Sequence, residues 1–137
     1  MNIEHTNMTV RNIDATTRFL RAVYPDIKIR GKGPRQNGGI WQHVGTQTHY
    51  IALQQDPEPS VSSRRDYYDL GINHVGFVVE DLAVITQRLL ALGYRKNDMG
   101  VENEGRHSEY FVDDSGIEWE LVEYKSDDPS VRNDYNQ

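Results

Sequence analysis

Two histidines hold the same place in a phrase that this 137-residue chain writes twice. Residues 3–13 read IEHTNMTVRNI and residues 72–82 read INHVGFVVEDL, so that subtracting positions (74 − 5) gives an offset of 69. The same offset pairs Ile3 with Ile72, Val10 with Val79, Ile13 with Leu82, Leu20 with Leu89 and Val23 with Leu92. Neutral imidazole is a common metal ligand, although a lone histidine in an amphipathic strand is more commonly a satisfied, half-buried residue. The chain has no cysteine, which excludes disulfides, thiolate metal sites and cysteine nucleophiles. The glycine-rich stretch GKGPRQNGG (31–39) is followed by neither Gly-Lys-Ser/Thr nor a helix start, so it reads as a mobile loop and not as a phosphate loop.

Strands and helices must position these histidines. In the first phrase Thr6, Met8 and Val10 fall on one face, with His5, Asn7 and Thr9 on the other; in the second, Val75, Phe77 and Val79 oppose His74, Gly76 and Val78. Each strand thus has one apolar face fit to lie under a helix, and each histidine points the other way. A helix follows both strands. Ile13, Phe19, Leu20 and Val23 are near helical spacing, with Asn12 or Asp14 as N-cap; Leu82, Ile85, Leu89 and Leu92 repeat the pattern, and Gly93 ends it. Short β-type runs come next: IKIRG, GGIWQHVG and THYIALQQ in the first half, YRKND, SEYFVDDSG and IEWELVEY in the second. An offset of 68 (112 − 44) pairs Val44 with Val112, Ile51 with Trp119 and Leu53 with Leu121.

The chain therefore reads as an α+β fold of two tandem βαβββ modules, 3–54 and 72–124, within a domain spanning 1–125. A Pro/Ser/charge-rich linker covers 55–71, and the polar tail 126–137 has little reason to fold. Two modules of this size cannot each bury a sheet face alone, so they should pair with each other or with a second chain. With 36% hydrophobic and 26% charged residues the chain suits a soluble globular domain. The net charge of −6 and the lack of a basic stripe argue against nucleic acid or anionic membrane as partners. No apolar run approaches the roughly 20 residues of a membrane span, and no basic-then-apolar leader opens the chain. A cytoplasmic location is the expectation.

Two βαβββ units that each open with Ile-x-His, the second closing with Asp-x-x-Gly-x-x-x-Glu-Leu-Val-Glu, resemble the vicinal oxygen chelate superfamily over residues 3–124. That group includes glyoxalase I, extradiol dioxygenases, fosfomycin-resistance transferases and bleomycin-resistance proteins. The resemblance implies a cupped, mostly antiparallel sheet with helices on its outer face. It also implies a metal held by the first and last strand of each module, which here offer His5, Ala52, His74 and Glu120. Ala52 cannot ligate, so the implied set is His5, His74 and Glu120 around a divalent ion: Fe, Mn, Ni, Co or Zn. Such a set leaves coordination positions open for a chelating substrate. Glu118 shares a strand face with Glu120 and is the alternative carboxylate, whereas Glu123 falls on the opposite face and reads as surface.

The stretch YFVDDSGIEWE is partly similar to the extradiol dioxygenase signature, and that similarity makes Tyr110 a candidate hydrogen-bond donor or acid, with packing as a strand aromatic as the alternative. Asp113 and Gly116 also have an ordinary explanation as a hairpin turn. Arg106 is a candidate for an anionic substrate, with a solvated rim as the alternative. Asn7, Thr9 and Tyr50 are candidates for substrate contacts. Two functions follow from the resemblance. One is a metal-dependent lyase, dioxygenase or transferase acting on a small oxygen-rich molecule; the other is a metal-free binding protein that sequesters a small molecule. Open sheet edges and the habits of the superfamily point to a homodimer.

Overall fold

The computed structural model describes residues 1–135 and divides the chain into two compact units, one of Met1–Ser63 and one beginning at Arg64. The first unit runs β1 (His5–Thr9), α1 (Ile13–Val23), β2 (Lys28–Pro34), β3 (Ile40–Gly45) and β4 (Tyr50–Gln55). The second runs β5 (His74–Val78), α2 (Leu82–Ala91), β6 (Arg95–Asn97), β7 (Arg106–Val112), β8 (Glu118–Tyr124) and a short α3 (Pro129–Arg132). Both are βαβββ modules. Each forms its own four-stranded sheet, ordered β1-β4-β3-β2 and β5-β8-β7-β6. In each, the first and last strands pair in parallel and the other pairs are antiparallel.

One face of each sheet is apolar and carries the helix. In the first unit Phe19, Leu20 and Val23 of α1 are buried with Val44, Ile51 and Leu53 of the strands. Gln42 is buried on that face too, and it donates from Nε2 to Thr17 Oγ1 at 2.8 Å, which offsets the cost of burying its amide. In the second unit Leu82, Ile85 and Leu89 of α2 are buried with Phe111, Trp119 and Leu121, and Phe77 stacks on Trp119 with ring centroids 5.4 Å apart. Leu92 departs from the spacing-based expectation. It caps the helix C-terminus in the last half-turn and is 61% exposed, so the apolar stripe ends at Leu89.

The helix starts are built alike. Asn12 Oδ1 accepts from Ala15 N at 2.8 Å and Asp81 Oδ1 from Val84 N at 3.0 Å, each satisfying a donor that the first turn cannot. A second cap comes from the last strand of each module. Gln55 Oε1 accepts from Ile13 N at 2.8 Å, and Glu123 Oε2 accepts from Leu82 N at 2.7 Å. These two acceptors are equivalent in the repeat (55 + 68 = 123). Glu123, read from sequence as plain surface, is therefore a half-buried capping residue that ties strand to helix.

The glycine-rich stretch also differs from expectation. Residues 31–34 belong to β2, and the turn that follows is closed by Arg35 N donating to Gly39 O at 2.8 Å. In the tail, Asp128 caps the turn of α3, and Arg132 stacks its guanidinium 3.9 Å from the Tyr124 ring centre. Residues 136–137 of the tail lie outside the described residues. No helix among the described residues is long and apolar enough to cross a membrane.

The cap has a measurable consequence. Glu123→Ala is expected to lower unfolding stability in urea by about 1–2 kcal/mol. A change within about 0.5 kcal/mol, ordinary for a surface position, would contradict its capping role.

Candidate functional site

The open face of the second sheet gathers the polar residues. The β5–β8 register sets His74 opposite Glu118 and Gly76 opposite Glu120, and the β7–β8 register sets Tyr110 opposite Glu120. Alternation along the strands then gives His74, Glu118, Glu120, Tyr110 and Arg106 one common face. Asn97, opposite Tyr110 on β6, joins them.

His74 is the centre of this group. Its Nε2 lies 3.4 Å from Glu120 Oε2, longer than an ordinary N–H···O bond. Glu120 Oε1 accepts from Arg106 Nη2 at 2.8 Å. The Arg106 Nε is buried and has no hydrogen-bond partner among the described residues. Tyr110 sets its ring edge-on to the imidazole, centroids 5.2 Å apart, and bonds through its hydroxyl to Glu120. Burial, and then the nearby Glu120 carboxylate, push the Tyr110 phenol up to about 12. It is a persistent proton donor at neutral pH and a poor base.

Tyr67 also reaches His74, and sequence reasoning missed it. It lies in what reads as a linker, yet its hydroxyl stands 3.1 Å from His74 Nδ1 and donates to Glu118 Oε1, while Asn97 Nδ2 donates to Glu118 Oε2. The residue is 45% exposed, and its hydroxyl contact with Glu118 is partly buried. Burial there, followed by the bond to Glu118, raises the phenol well above its ordinary value. The backbone at Tyr67 has φ of 66°, a left-handed conformation that costs a non-glycine residue roughly 1–2 kcal/mol. The surrounding loop holds it there. Tyr67 N donates to Asn73 Oδ1 at 2.8 Å, and Arg64 Nη2 donates to the same oxygen at 2.6 Å. Arg64 also binds the carbonyls of Asp69 and Leu70, both at 3.2 Å. The only sequence signal was an arginine, an asparagine and a tyrosine within ten residues of His74.

The first sheet presents a different surface. His5 stacks on Tyr50 with centroids 4.7 Å apart, Tyr50 lies 4.7 Å from His43, and His43 lies 4.9 Å from Trp41. A β-bulge between Ile29 and Gly31 frees Arg30, whose guanidinium sits 4.3 Å over the Tyr50 ring. Trp41 lies flat over β2 because Gly31 and Gly33 are there; a Cβ on Gly33 would meet the indole nitrogen at 2.9 Å. His5 Nδ1 is 2.9 Å from Glu4 Oε2. Asn7 Oδ1 accepts from Gln54 Nε2 at 3.0 Å, and Thr9 is exposed opposite Gln54.

The expected residues thus fall into two sets. His74, Glu120, Tyr110 and Arg106 are brought together in the second unit; His5, Asn7, Thr9 and Tyr50 share a face of the first. Among the described residues no group of three or more His, Asp or Glu side chains has metal-ligand spacing. Two of the three implied donors do fit. Ligands about 2.1 Å from one ion at a near-tetrahedral angle lie about 3.4 Å apart, and His74 Nε2 and Glu120 Oε2 are 3.4 Å apart. Asp113 is structural, its Oδ1 accepting from Ser115 N at 2.8 Å and Ile117 N at 3.0 Å in the turn completed by Gly116 at φ of 82°.

The fold is that of the glyoxalase, bleomycin-resistance and dioxygenase domains, and the resemblance seen in the residues holds at that level. A glyoxylase/bleomycin resistance protein/dioxygenase domain from Frankia sp. EAN1pec matches with a TM-score of 0.73 at 20% identity, covering 90% of this chain and 98% of that one. A glyoxalase family protein from Bacillus cereus matches with a TM-score of 0.72 at 17% identity, covering 92% and 95%. The fosfomycin resistance protein FosX from Listeria monocytogenes, complexed with Mn(II) and sulfate, matches with a TM-score of 0.67 at 19% identity, covering 89% and 91%. No protein-family profile and no curated protein sequence matches the chain.

The ion pair under Glu120 gives a direct test. Arg106→Leu is expected to lower stability by about 1–3 kcal/mol, because a largely buried carboxylate loses its partner. Glu120→Gln should then cost less in the Arg106→Leu background than alone. Additive effects in a urea double-mutant cycle would mean that the two residues are uncoupled.

Proposed function

We propose that this chain is a divalent-metal-dependent enzyme of the vicinal oxygen chelate type acting on a small oxygen-rich molecule. The observation that carries this reading is the approach of His74 Nε2 to Glu120 Oε2 at 3.4 Å, a spacing suited to two ligands of one ion. His74 and Glu120 would hold the metal together with His5, contributed by this chain or by a second copy in the homodimer expected from the sequence. The Mn(II) bound by FosX supports a divalent ion in a protein of this fold. When bound, the ion would polarise a substrate oxygen and lower the pKa of groups attached to it.

The chain's own residues would do the rest. Arg106 holds the Glu120 carboxylate in place, and its spare buried Nε can donate to an anionic substrate group. Tyr110 offers a neutral hydroxyl donor at the carboxylate. Asn7, Thr9 and Tyr50 are the substrate-facing candidates of the first unit. One observation favours a second reading, that of a metal-free binding protein. The array of Trp41, His43, Tyr50, His5 and Arg30 suits stacking against a planar ligand.

Mn(II) titrated into chelator-stripped protein separates the two. Under the enzyme reading His74→Ala, His5→Ala and Glu120→Gln each weaken Mn(II) binding more than about tenfold. If wild type and variants bind Mn(II) alike, or not at all, the binding-protein reading takes its place.

A further inference from the structure

We propose that Tyr67 is a positioning residue that fixes the tautomer of His74, placing the imidazole proton on Nδ1 and leaving the Nε2 lone pair directed at Glu120. What the lone pair is for rests on the metal-dependent reading above; the tautomer itself does not.

The assignment follows from counting donors. The Tyr67 hydroxyl has one proton and two neighbours, His74 Nδ1 at 3.1 Å and Glu118 Oε1. A carboxylate can only accept. Glu118 accepts at both oxygens, from Tyr67 at Oε1 and from the Asn97 amide at Oε2. The phenol proton therefore goes to Glu118, and the phenol oxygen accepts from Nδ1–H. The hydrogen bond made by one ring nitrogen decides which state the other adopts, so Nε2 is left unprotonated. It faces Glu120 Oε2 at 3.4 Å, beyond ordinary bonding reach.

The loop is built for this task. Tyr67 takes a left-handed backbone conformation that its side chain does not favour, and the bonds from Arg64 and Tyr67 N to Asn73 hold it. Strain kept by a dedicated network is the pattern of a functional segment. Glu118, the alternative ligand by sequence, instead anchors the residue that orients His74.

The test reads the ring directly. Protein labelled with 15N-histidine is stripped of metal and kept at pH 8.5, and long-range 1H–15N correlation spectra report the His74 tautomer, assigned by its loss in His74→Gln. Wild type should show the Nδ1–H form. In Tyr67→Phe the population should move to Nε2–H, because Nδ1 loses its near acceptor, Glu118 Oε1 being 3.9 Å away, while Glu120 Oε2 is nearer to Nε2 at 3.4 Å and has only to close a few tenths of an ångström to accept. Glu118→Gln should shift it the same way, and it carries the test should Tyr67→Phe fail to fold. A wild-type Nε2–H form, a doubly protonated ring, or an Nδ1–H form unchanged in both variants would overturn the proposal. In a parallel Mn(II) titration Tyr67→Phe should weaken affinity by about 10–100-fold, the usual effect of losing a partner that orients a ligand. If the tautomer shifts as expected but wild type binds no Mn(II), Tyr67 keeps its role and the metal-dependent reading alone falls.

Discussion

A histidine nitrogen and a carboxylate oxygen face each other across 3.4 Å, and the surrounding face of the second sheet is arranged around that pair. Apart from the Arg106 Nε, the polar groups around it already have partners. Glu120 Oε1 belongs to Arg106, both oxygens of Glu118 are taken by Tyr67 and Asn97, and His74 Nδ1 meets Tyr67. Two groups that both present lone pairs repel unless a proton or a cation stands between them. The parallel register of β5 and β8 creates the confrontation, because it sets His74 beside Glu118 and brings Glu120 one step further along the same face.

The first unit has the same scaffold and a different face. The positions equivalent to Glu118 and Glu120 are Tyr50 (118 − 68) and Ala52 (120 − 68), and the residue across from Ala52, where the second unit has Tyr110, is His43. Where the second unit has carboxylates, the first has a ring and a methyl group. What the duplication retains is the support: parallel first and last strands, a side-chain N-cap, and the acceptors Gln55 and Glu123 on the helix N-termini. Constraints of backbone pairing and unsatisfied N–H groups act on both copies alike. No such constraint acts on the open face. One face is carboxylate-rich around its histidine, the other aromatic.

The features legible in the sequence are those governed by local periodicity. Alternation in residues 5–10 and 74–79 places both histidines opposite the apolar face, and the helix starts at Asn12 and Asp81 follow capping chemistry that a short window contains. His74, Glu120 and Tyr110 come together because strand register carries one-dimensional spacing into space. The residues that escaped depend on long-range closure. Tyr67 reaches Glu118 across 51 positions through a loop whose shape is set by Arg64 and Asn73, and no periodicity announces it. Arg106 is legible as a candidate for an anionic group, but its bond to Glu120 is not, because that bond exists only once β7 and β8 are paired. Glu123 looks like surface because its partner, the Leu82 amide, is visible only once the helix is docked on the sheet. The turn of α3 combines a local cap, Asp128 ahead of Pro129, with the tertiary contact of Arg132 on Tyr124.

The central claim, that His74 Nε2 and Glu120 share a cation, is tested most directly by locating the ion. Crystals of the full chain grown with Mn(II) and measured at the manganese absorption edge would show anomalous scattering at its position. The account predicts a peak about 2.0–2.2 Å from both His74 Nε2 and a Glu120 oxygen, with the remaining protein ligand identified in the same map. Manganese found only elsewhere, or absent while His74 Nε2 closes to a direct hydrogen bond with Glu120, would contradict it.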